Sequence, residues 1–239
     1  MHPIRSETRK TAMTQPAPVS PAPMPRRRKA VRRSEILAAA RQVFSAKAFA
    51  SASVSEIAAR AGCVEGTIYT YFRNKRDLFD AVLEEFYDRL IEDIGPGFEA
   101  IDDTRERLAF LIARHLRIPI DDPGMGRIIV REARMEEAYF GSKLHALNRR
   151  YSRFLLRTLS DGIERGELRA DLDVALARDM LFGGLSHVIW SQMDRGRAFD
   201  PQAIAQALVQ MMMQGWQASQ AAAAVQPGQY NRADDGPCT

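Results

Sequence analysis

The chain has 239 residues, of which 46% are hydrophobic and 27% are charged, and its formal net charge is +4. This length and composition predict one or two globular domains with a real hydrophobic core. No apolar run approaches the roughly 18 residues of a membrane span, and no apolar segment of a secretory signal follows the first basic residues. We therefore expect a cytoplasmic protein without membrane contact. The two cysteines, Cys63 and Cys238, are too few for a disulfide framework or a four-ligand zinc site.

The charge is distributed unevenly along the chain. Residues 26–76 contain 12 Lys and Arg against three acids, a net +9, whereas residues 77–239 contain 19 bases against 26 acids, a net −7. The first 25 residues add +2. A basic block followed by an acidic body favours binding of a nucleic acid or an anionic surface by the first part. A basic tail attached to an ordinary domain is the alternative that charge alone leaves open.

Apolar residues at helical spacing predict four helices in the N-terminal part. The Pro-rich residues 1–25 are expected to form a disordered tail. The second helix begins at Ser53, which forms a capping box with Glu56, and the fourth begins at Asn74. Glycine and proline at 95–97 are expected to end the fourth helix. The predicted helices cover 31–47, 53–62, about 65–71 and 74–94.

The remaining sequence predicts a second, larger helical unit over 95–219. Its helices are expected at about 104–118, 125–135, 137–165, 174–195 and 201–219. Pro119 is expected to end the first of these helices, Gly166 fits the position after the third, and Asp173 can cap the fourth. Asp200 followed by Pro201 fits the start of the last helix. Residues 220–239 are expected to form a disordered tail. The predicted fold class is therefore all-α, with no strand and no tandem repeat.

Residues 54–72 have the layout of a helix-turn-helix, in which eight residues of helix lead to Gly62 and then to a short second helix. Glycine suits this turn because a positive φ costs it little. A short exposed helix beside a basic block is suited to the major groove of DNA. This block resembles the TetR family of bacterial transcription factors over residues 31–94. The matching residues are Phe49, Ser53, Val54, Glu56, Ile57, Ala58, Ala61, Gly62, Gly66, Thr67, Ile68, Tyr69, Tyr71, Phe72, Asn74, Lys75 and Leu78.

The resemblance implies a homodimer with an N-terminal three-helix DNA-binding domain, a C-terminal ligand-binding and dimerisation domain, and a palindromic DNA operator. It implies that Thr67, Tyr69 and Lys75 hold phosphates, which position a protein without reading sequence. The DNA-binding residues carried over are Ser53, Glu65, Gly66, Thr67, Tyr69, Thr70, Tyr71 and Lys75.

Within that set, Glu65, Thr70 and Tyr71 are expected to face bases, and Ser53 to cap its helix and touch a phosphate. For Tyr69 and Tyr71, packing against the fourth helix is the alternative. The basic residues 26–29 are expected either to reach the minor groove or to form a solvated linker. Cys63 is expected to be a packing residue rather than a redox switch. At Val64 the family frequently has a capping Ser or Thr, and at Glu65 it frequently has Lys or Pro.

The body carries none of the sequence signatures of a catalytic centre, a phosphate-binding loop or a metal site. We therefore expect a protein that is not an enzyme, with no cofactor and no metal. The resemblance places an apolar effector pocket among the middle helices and the dimer contact on the last two helices. For each lining residue, ordinary core packing is the alternative. The predicted pocket residues are Phe110, Met125, Ile129, Tyr139, Tyr151, Phe154, Phe182 and Trp190.

Segments around 131–140, 166–169 and 178–183 resemble the fatty-acid-responsive branch of the family, which implies a lipophilic, acyl-CoA-like effector. Arg131 or Arg134 is expected to meet an anionic head group or to form a surface ion pair. The leading hypothesis is a repressor that a small lipophilic effector releases from a palindromic operator. The alternative is a DNA-binding accessory or architectural protein whose C-terminal domain binds a protein partner.

Overall fold

The computed structural model describes residues 26–135, 141–195 and 198–216. The described residues form nine α-helices and one short 3₁₀ helix, which confirms the predicted all-α fold class. No helix among them is long and apolar enough to cross a bilayer. The helices are α1 (Arg26–Ala46), α2 (Val54–Arg60), α3 (Glu65–Tyr69), α4 (Lys75–Glu99), α5 (Thr104–Asp121), α6 (Pro123–Met135), α7 (Lys143–Glu164), α8 (Val174–Arg195) and α9 (Pro201–Trp216), with the 3₁₀ helix at Phe49–Ser51.

The first three helices and the start of α4 form a small domain around a tightly buried core. The Phe44 and Phe79 rings meet edge to face with centroids 4.9 Å apart. Both side chains are almost fully buried, and Ile57 of α2 and Ile68 of α3 are buried with them. This core fixes the angle between α2 and α3. At the turn between these two helices Gly62 has φ of 63°, as the sequence predicts.

The side-chain caps that the sequence predicts are present. The Ser53 Oγ accepts a hydrogen bond from the Glu56 backbone N–H at 3.1 Å, and the Asn74 Oδ1 accepts one from the Asp77 N–H at 2.8 Å. In the larger domain, Asp173 caps α8 in the same way, and Gly166 takes a φ of 71° directly after α7. These caps depend on residues three positions apart in sequence, so local spacing is sufficient to predict them.

The predicted end of α4 at residues 95–97 is wrong, because the helix continues to Glu99. Pro96 removes one backbone hydrogen bond, but burial of Ile94 and Phe98 on either side offsets that loss. Gly97 permits a close contact, since a Cβ at this position would lie 2.7 Å from Cζ of Phe110. The predicted domain boundary at residue 95 therefore falls inside a continuous helix.

Pro119 does not end α5 either, and the helix reaches Asp121. The proline ring is buried against the start of α6, where a Cβ on Gly126 would lie 2.8 Å from Cα of Pro119. Only Asp122 separates α5 from α6, so the gap at 119–124 between the two predicted helices is shorter than expected. Helix α5 is the central element of the larger domain and packs against α4, α6, α7, α8 and α9.

Candidate DNA-binding surface and effector domain

The short helix α3 presents most of its side chains to solvent. Ile68 is its one buried residue, and it anchors the helix to the domain core. Glu65 and Gly66 are exposed, and Tyr69 is 50% exposed. No side chain caps the N-terminus of α3, since Val64 occupies that position. A helix held by one residue and exposed on its other faces is suited to insertion into a groove of DNA.

The hydroxyl groups of Thr70 and Ser53 already have partners within the domain. The Thr70 Oγ1 donates to the Thr67 carbonyl at 2.6 Å, which leaves its lone pairs free to accept from a base. Ser53 is exposed beside α2, so it can touch a phosphate while it caps the helix. The Glu56 carboxylate pairs with Lys47 at 2.9 Å.

The two tyrosines occupy different environments. Tyr69 is exposed, whereas Tyr71 is partly buried and packs against the core. The Tyr71 hydroxyl is buried and has no hydrogen-bond partner among the described residues. The packing alternative therefore fits Tyr71 better than Tyr69. The expectation that Tyr71 reads a base remains a prediction.

The Lys75 ammonium forms hydrogen bonds within the small N-terminal domain. Its ammonium donates to the carbonyl oxygens of Phe49 and Ala52 at 2.9 Å each, and to that of Ala50 at 3.3 Å. It also lies 4.6 Å from the centroid of the Phe49 ring. Because an ammonium has three N–H donors, this arrangement uses all of them. Lys75 therefore holds the 3₁₀ helix in this structure, and its predicted phosphate contact remains a prediction.

The basic residues at 26–29 belong to α1 and so do not form a separate linker, and their contact with the minor groove remains a prediction. Arg28, Lys29 and Arg33 are exposed on this helix. Cys63 is a free, partly buried thiol packed against the core, in the position expected of a packing residue. The DNA-binding domain thus combines an exposed recognition helix with a positively charged surface.

A polar and aromatic cluster lies inside the larger domain. The His115 ring stacks on Tyr151 with centroids 5.7 Å apart and meets Phe182 edge to face at 5.2 Å. The Tyr151 ring also lies 6.3 Å from that of Tyr87, whose hydroxyl donates to the Asn148 side chain. This cluster joins α4, α5, α7 and α8 at the centre of the domain.

Burial dominates the electrostatics of the cluster. It lowers the pKa of His115 to about 4, so the imidazole is neutral near pH 7, and it raises the pKa of Tyr151. The Nδ1 of His115 is buried without a hydrogen-bond partner among the described residues. The Nε of Arg114 and Nη1 of Arg131 are in the same situation. Three side chains on α5 and α6 thus have buried nitrogen atoms without hydrogen-bond partners among the described residues.

Helices α8 and α9 leave an apolar surface uncovered. Met180 is 68% exposed and Met211 67% exposed, and Leu176 and Trp190 are also solvent-accessible. Gly183, Gly184, Ser186 and His187 on α8 are exposed as well. Small residues between large apolar ones permit another helix to approach closely. Among the described residues, no group of three or more His, Cys, Asp or Glu side chains could hold a metal ion.

Two family models match the chain in succession. Residues 36–82 match the model described as bacterial regulatory proteins, tetR family, and residues 83–215 match the model described as YsiA-like protein, C-terminal region. The chain belongs to the TetR family. It is therefore a transcriptional regulator with a DNA-binding domain and a ligand-binding domain, and not an enzyme. The residues matched by the first model include the exposed helix α3.

The proteins similar to this chain include regulators of fatty acid metabolism. The fatty acid metabolism regulator protein of Bacillus subtilis is 28% identical over 181 residues, which cover 76% of this chain and 93% of that protein. A crystal structure of the B. subtilis transcriptional regulator FadR in complex with stearoyl-CoA has a TM-score of 0.71 and 27% identity, and the match covers 76% and 98% of the two chains. The transcriptional repressor KstR2 of Rhodococcus jostii is 27% identical over 161 residues, 62% of this chain and 74% of that protein.

The predicted pocket residues do not share one setting. Tyr151 and Phe182 contact each other in the central cluster, with ring centroids 5.9 Å apart. Phe154 meets Phe98 at 5.0 Å near the end of α4. Trp190 lies on the exposed face of α8, which suits a subunit contact better than a pocket wall. Met125 is fully buried, Phe110 and Ile129 are partly buried against the core, and Tyr139 lies outside the described residues. Their role in effector binding remains a prediction.

Sequence spacing did not identify Arg41, Arg114 and Asp122 as a functional group. Arg41 lies on α1, Arg114 lies on α5 and Asp122 directly precedes α6, and all three line one cleft between the two domains. Residues so far apart in the chain share no spacing pattern. The one available signal was the position of Asp122 before Pro123, which is typical of a helix start.

Proposed function

We propose that this TetR-family protein is a repressor that binds a palindromic operator as a homodimer and leaves it when a lipophilic, acyl-CoA-like effector binds. The observation that carries the proposal is the pairing of an exposed recognition helix with a ligand domain of the YsiA-like type. The two states would differ in the separation of the two recognition helices. An effector shifts this equilibrium only by its difference in affinity for the two states.

The proposed reading of DNA divides the surface residues into two groups. Exposed Thr70 and Glu65 would contact bases, since an acid can accept from the N4 amino group of cytosine. Ser53, Thr67 and Tyr69 would contact phosphates and set the position of the helix. Because the contacts with phosphates release counterions, affinity should fall steeply as salt concentration rises.

The proposed effector class is supported by similarity and by the interior of the domain. The similar B. subtilis regulator was crystallised with stearoyl-CoA, and similarity to it extends over almost its entire length. In this chain the helices around α5 enclose an apolar and aromatic cluster, in which neutral His115 adds no charge. A long acyl chain would find apolar surface there.

The proposed dimer uses the uncovered faces of α8 and α9. A two-fold contact places the same surface of each subunit against its copy. Exposed Met180 and Met211 would then become buried, and the exposed glycines of α8 would permit close helix approach. A two-fold symmetric dimer matches an inverted repeat in DNA.

The proposal can be tested by titrating the full chain onto fluorescent genomic fragments, with and without palmitoyl-CoA. We expect preferential binding to fragments with an inverted repeat, and release on addition of palmitoyl-CoA. Acetyl-CoA, which lacks the long chain, serves as the control and should leave the complex intact. Equal binding to every fragment, or release by both thioesters alike, contradicts the proposal.

A further inference from the structure

A cleft of about 240 Å³ lies where α1, α4 and α5 meet the junction before α6. Phe86, Leu90 and Ile118 provide its apolar wall, and Arg41 and Asp122 also line it. A cleft of this volume can hold a carboxylate or phosphate group and its neighbouring atoms, but not a whole long-chain molecule.

Two of the three acidic side chains that line the cleft, Asp121 and Asp122, already have partners. Arg117 holds both oxygens of Asp121, with N···O distances of 3.1 and 2.9 Å. The Oδ1 of Asp122 accepts from the backbone N–H of Met125 at 3.1 Å, and its Oδ2 forms an ion pair with Arg41. The remaining acid, Asp93, is exposed on α4, one helical turn from Arg89, which also lines the cleft.

Arg114 lines the cleft and has one N–H donor, Nε, without a hydrogen bond among the described residues. This nitrogen is buried. A buried guanidinium N–H without an acceptor is unfavourable, and a carboxylate or phosphate oxygen would satisfy it. Arg117, three residues further along the same helix, differs because it is exposed and is paired with Asp121. The cleft thus offers an unsatisfied cationic donor next to an apolar wall.

The same cleft reaches the DNA-binding domain through Arg41. This residue lies on α1, and its partner Asp122 lies directly before α6. The contact between the two helices continues at Ser45, whose carbonyl accepts from Arg127 Nε at 3.3 Å. A Cβ on Gly124 would lie only 3.3 Å from Cβ of Ser45, so the helices are in close contact. A negatively charged group in the cleft would compete with Asp122 for Arg41.

We propose that this cleft binds the anionic head group of the lipophilic effector, with Arg114 as the principal ligand-binding residue and Arg41 as the second. The inference rests on the proposed function, since it assigns a place to one end of that effector. When the head group forms an ion pair with Arg41, the ion pair between Arg41 and Asp122 is broken, and the contact between α1 and the start of α6 is weakened. Effector binding then changes how the DNA-binding domain is held. The shared chemistry is an anionic oxygen, from either a carboxylate or a phosphate.

The test measures binding of palmitate, palmitoyl-CoA and the uncharged hexadecanol to the full chain by isothermal titration calorimetry. Arg114→Met keeps an apolar side chain of similar length and removes the charge, and Arg117→Met is the matched control on the same helix. We expect Arg114→Met to weaken at least one anionic ligand about tenfold or more, and to leave hexadecanol unchanged. Arg117→Met should change none of the three. Arg114→Lys should restore much of the lost affinity.

The pattern among ligands identifies the head group. A loss for palmitate assigns a carboxylate to the cleft, and a loss for palmitoyl-CoA alone assigns a phosphate. If Arg114→Met binds both anionic ligands as the wild type does, or weakens hexadecanol equally, the cleft is not the head-group site. If the wild type binds none of the three ligands, the proposed function itself fails. Thermal unfolding of each variant checks that the fold is retained.

Discussion

In the DNA-binding domain most of the polar groups assigned a function face solvent, whereas in the effector domain several polar groups are buried without partners among the described residues. Helix α3 is anchored by Ile68 and exposes Glu65 and Tyr69. By contrast, His115 Nδ1 and Arg114 Nε lie inside the larger domain without hydrogen-bond partners among the described residues. The first arrangement suits contact with a large, highly charged partner. The second suits a ligand that enters the protein and satisfies groups that water cannot reach.

The two domains also differ in how much apolar surface they expose. The DNA-binding domain is compact around Phe44 and Phe79, whereas the effector domain leaves the apolar face of α8 and α9 exposed. An exposed apolar face of this kind marks an interaction site. Four experiments can test these differences between the two domains.

Met180→Glu should separate the proposed dimer. The side chain is 68% exposed in one chain, and in a dimer its carboxylate would be buried against the partner without a counter-charge. We expect a monomer in analytical ultracentrifugation and a fall in operator affinity of at least about a hundredfold, because two linked recognition helices bind far more tightly than one. Ile120→Glu, an exposed site on α5, is the control. If both variants remain dimeric, α8 is not the interface.

Lowering the pH should destabilise the protein through His115. Burial lowers the pKa of His115 in the folded protein to about 4, below the usual 6.5. Between these two pH values the unfolded chain binds a proton that the folded chain does not. The contribution of this neutral group is complete above pH 6.5 and is lost as the pH falls towards 4. Its size is on the order of 3 kcal/mol. Urea unfolding between pH 7 and 4.5 measures it, and His115→Phe should flatten this part of the profile. An unchanged slope in the variant would assign the effect to other groups.

Lys75→Met should lower stability by about 2 kcal/mol, because the carbonyl oxygens around the 3₁₀ helix lose their common donor. Arg73→Met, an exposed site two residues earlier, should leave the free energy of unfolding almost unchanged. Urea unfolding at neutral pH distinguishes the two variants. If Lys75→Met retains full stability but binds all DNA sequences more weakly, then Lys75 is a phosphate contact and not an internal one.

Glu65→Gln should change the preferred base at one operator position by about tenfold and leave stability unchanged. The matched control is Glu35→Gln, which makes the same charge change on α1, where Glu35 pairs with Arg32. Competition binding against operator variants measures the preference. If both variants only strengthen binding to every sequence alike, then Glu65 acts through net charge and reads no base.

The parts of the fold that the sequence predicted depend on neighbours within one or two helical turns. Ser53, Asn74 and Asp173 cap their helices as expected, and Gly62 and Gly166 take positive φ values. The recognition helix α3 was also predicted from local sequence, at about 65–71, and the structure has it at Glu65–Tyr69.

The errors occurred where packing between distant residues overrides local preference. Residues 95–97 and Pro119 are helix breakers in isolation, yet α4 and α5 continue through them. Close contacts with Phe110 and Gly126 stabilise the helices at these points. The cleft between Arg41 and Arg114 was not predicted for the same reason, because it exists only when α1 and α5 are brought together. No local pattern contains that information.

The central claim is that one chain couples symmetric reading of DNA to binding of a lipophilic effector. Selection of duplexes from a random library by the full chain, repeated in the presence of palmitoyl-CoA, tests it most directly. We predict that an inverted repeat is enriched without effector and that enrichment disappears when palmitoyl-CoA is added. Enrichment of a single half-site, or of the same repeat under both conditions, would contradict the account.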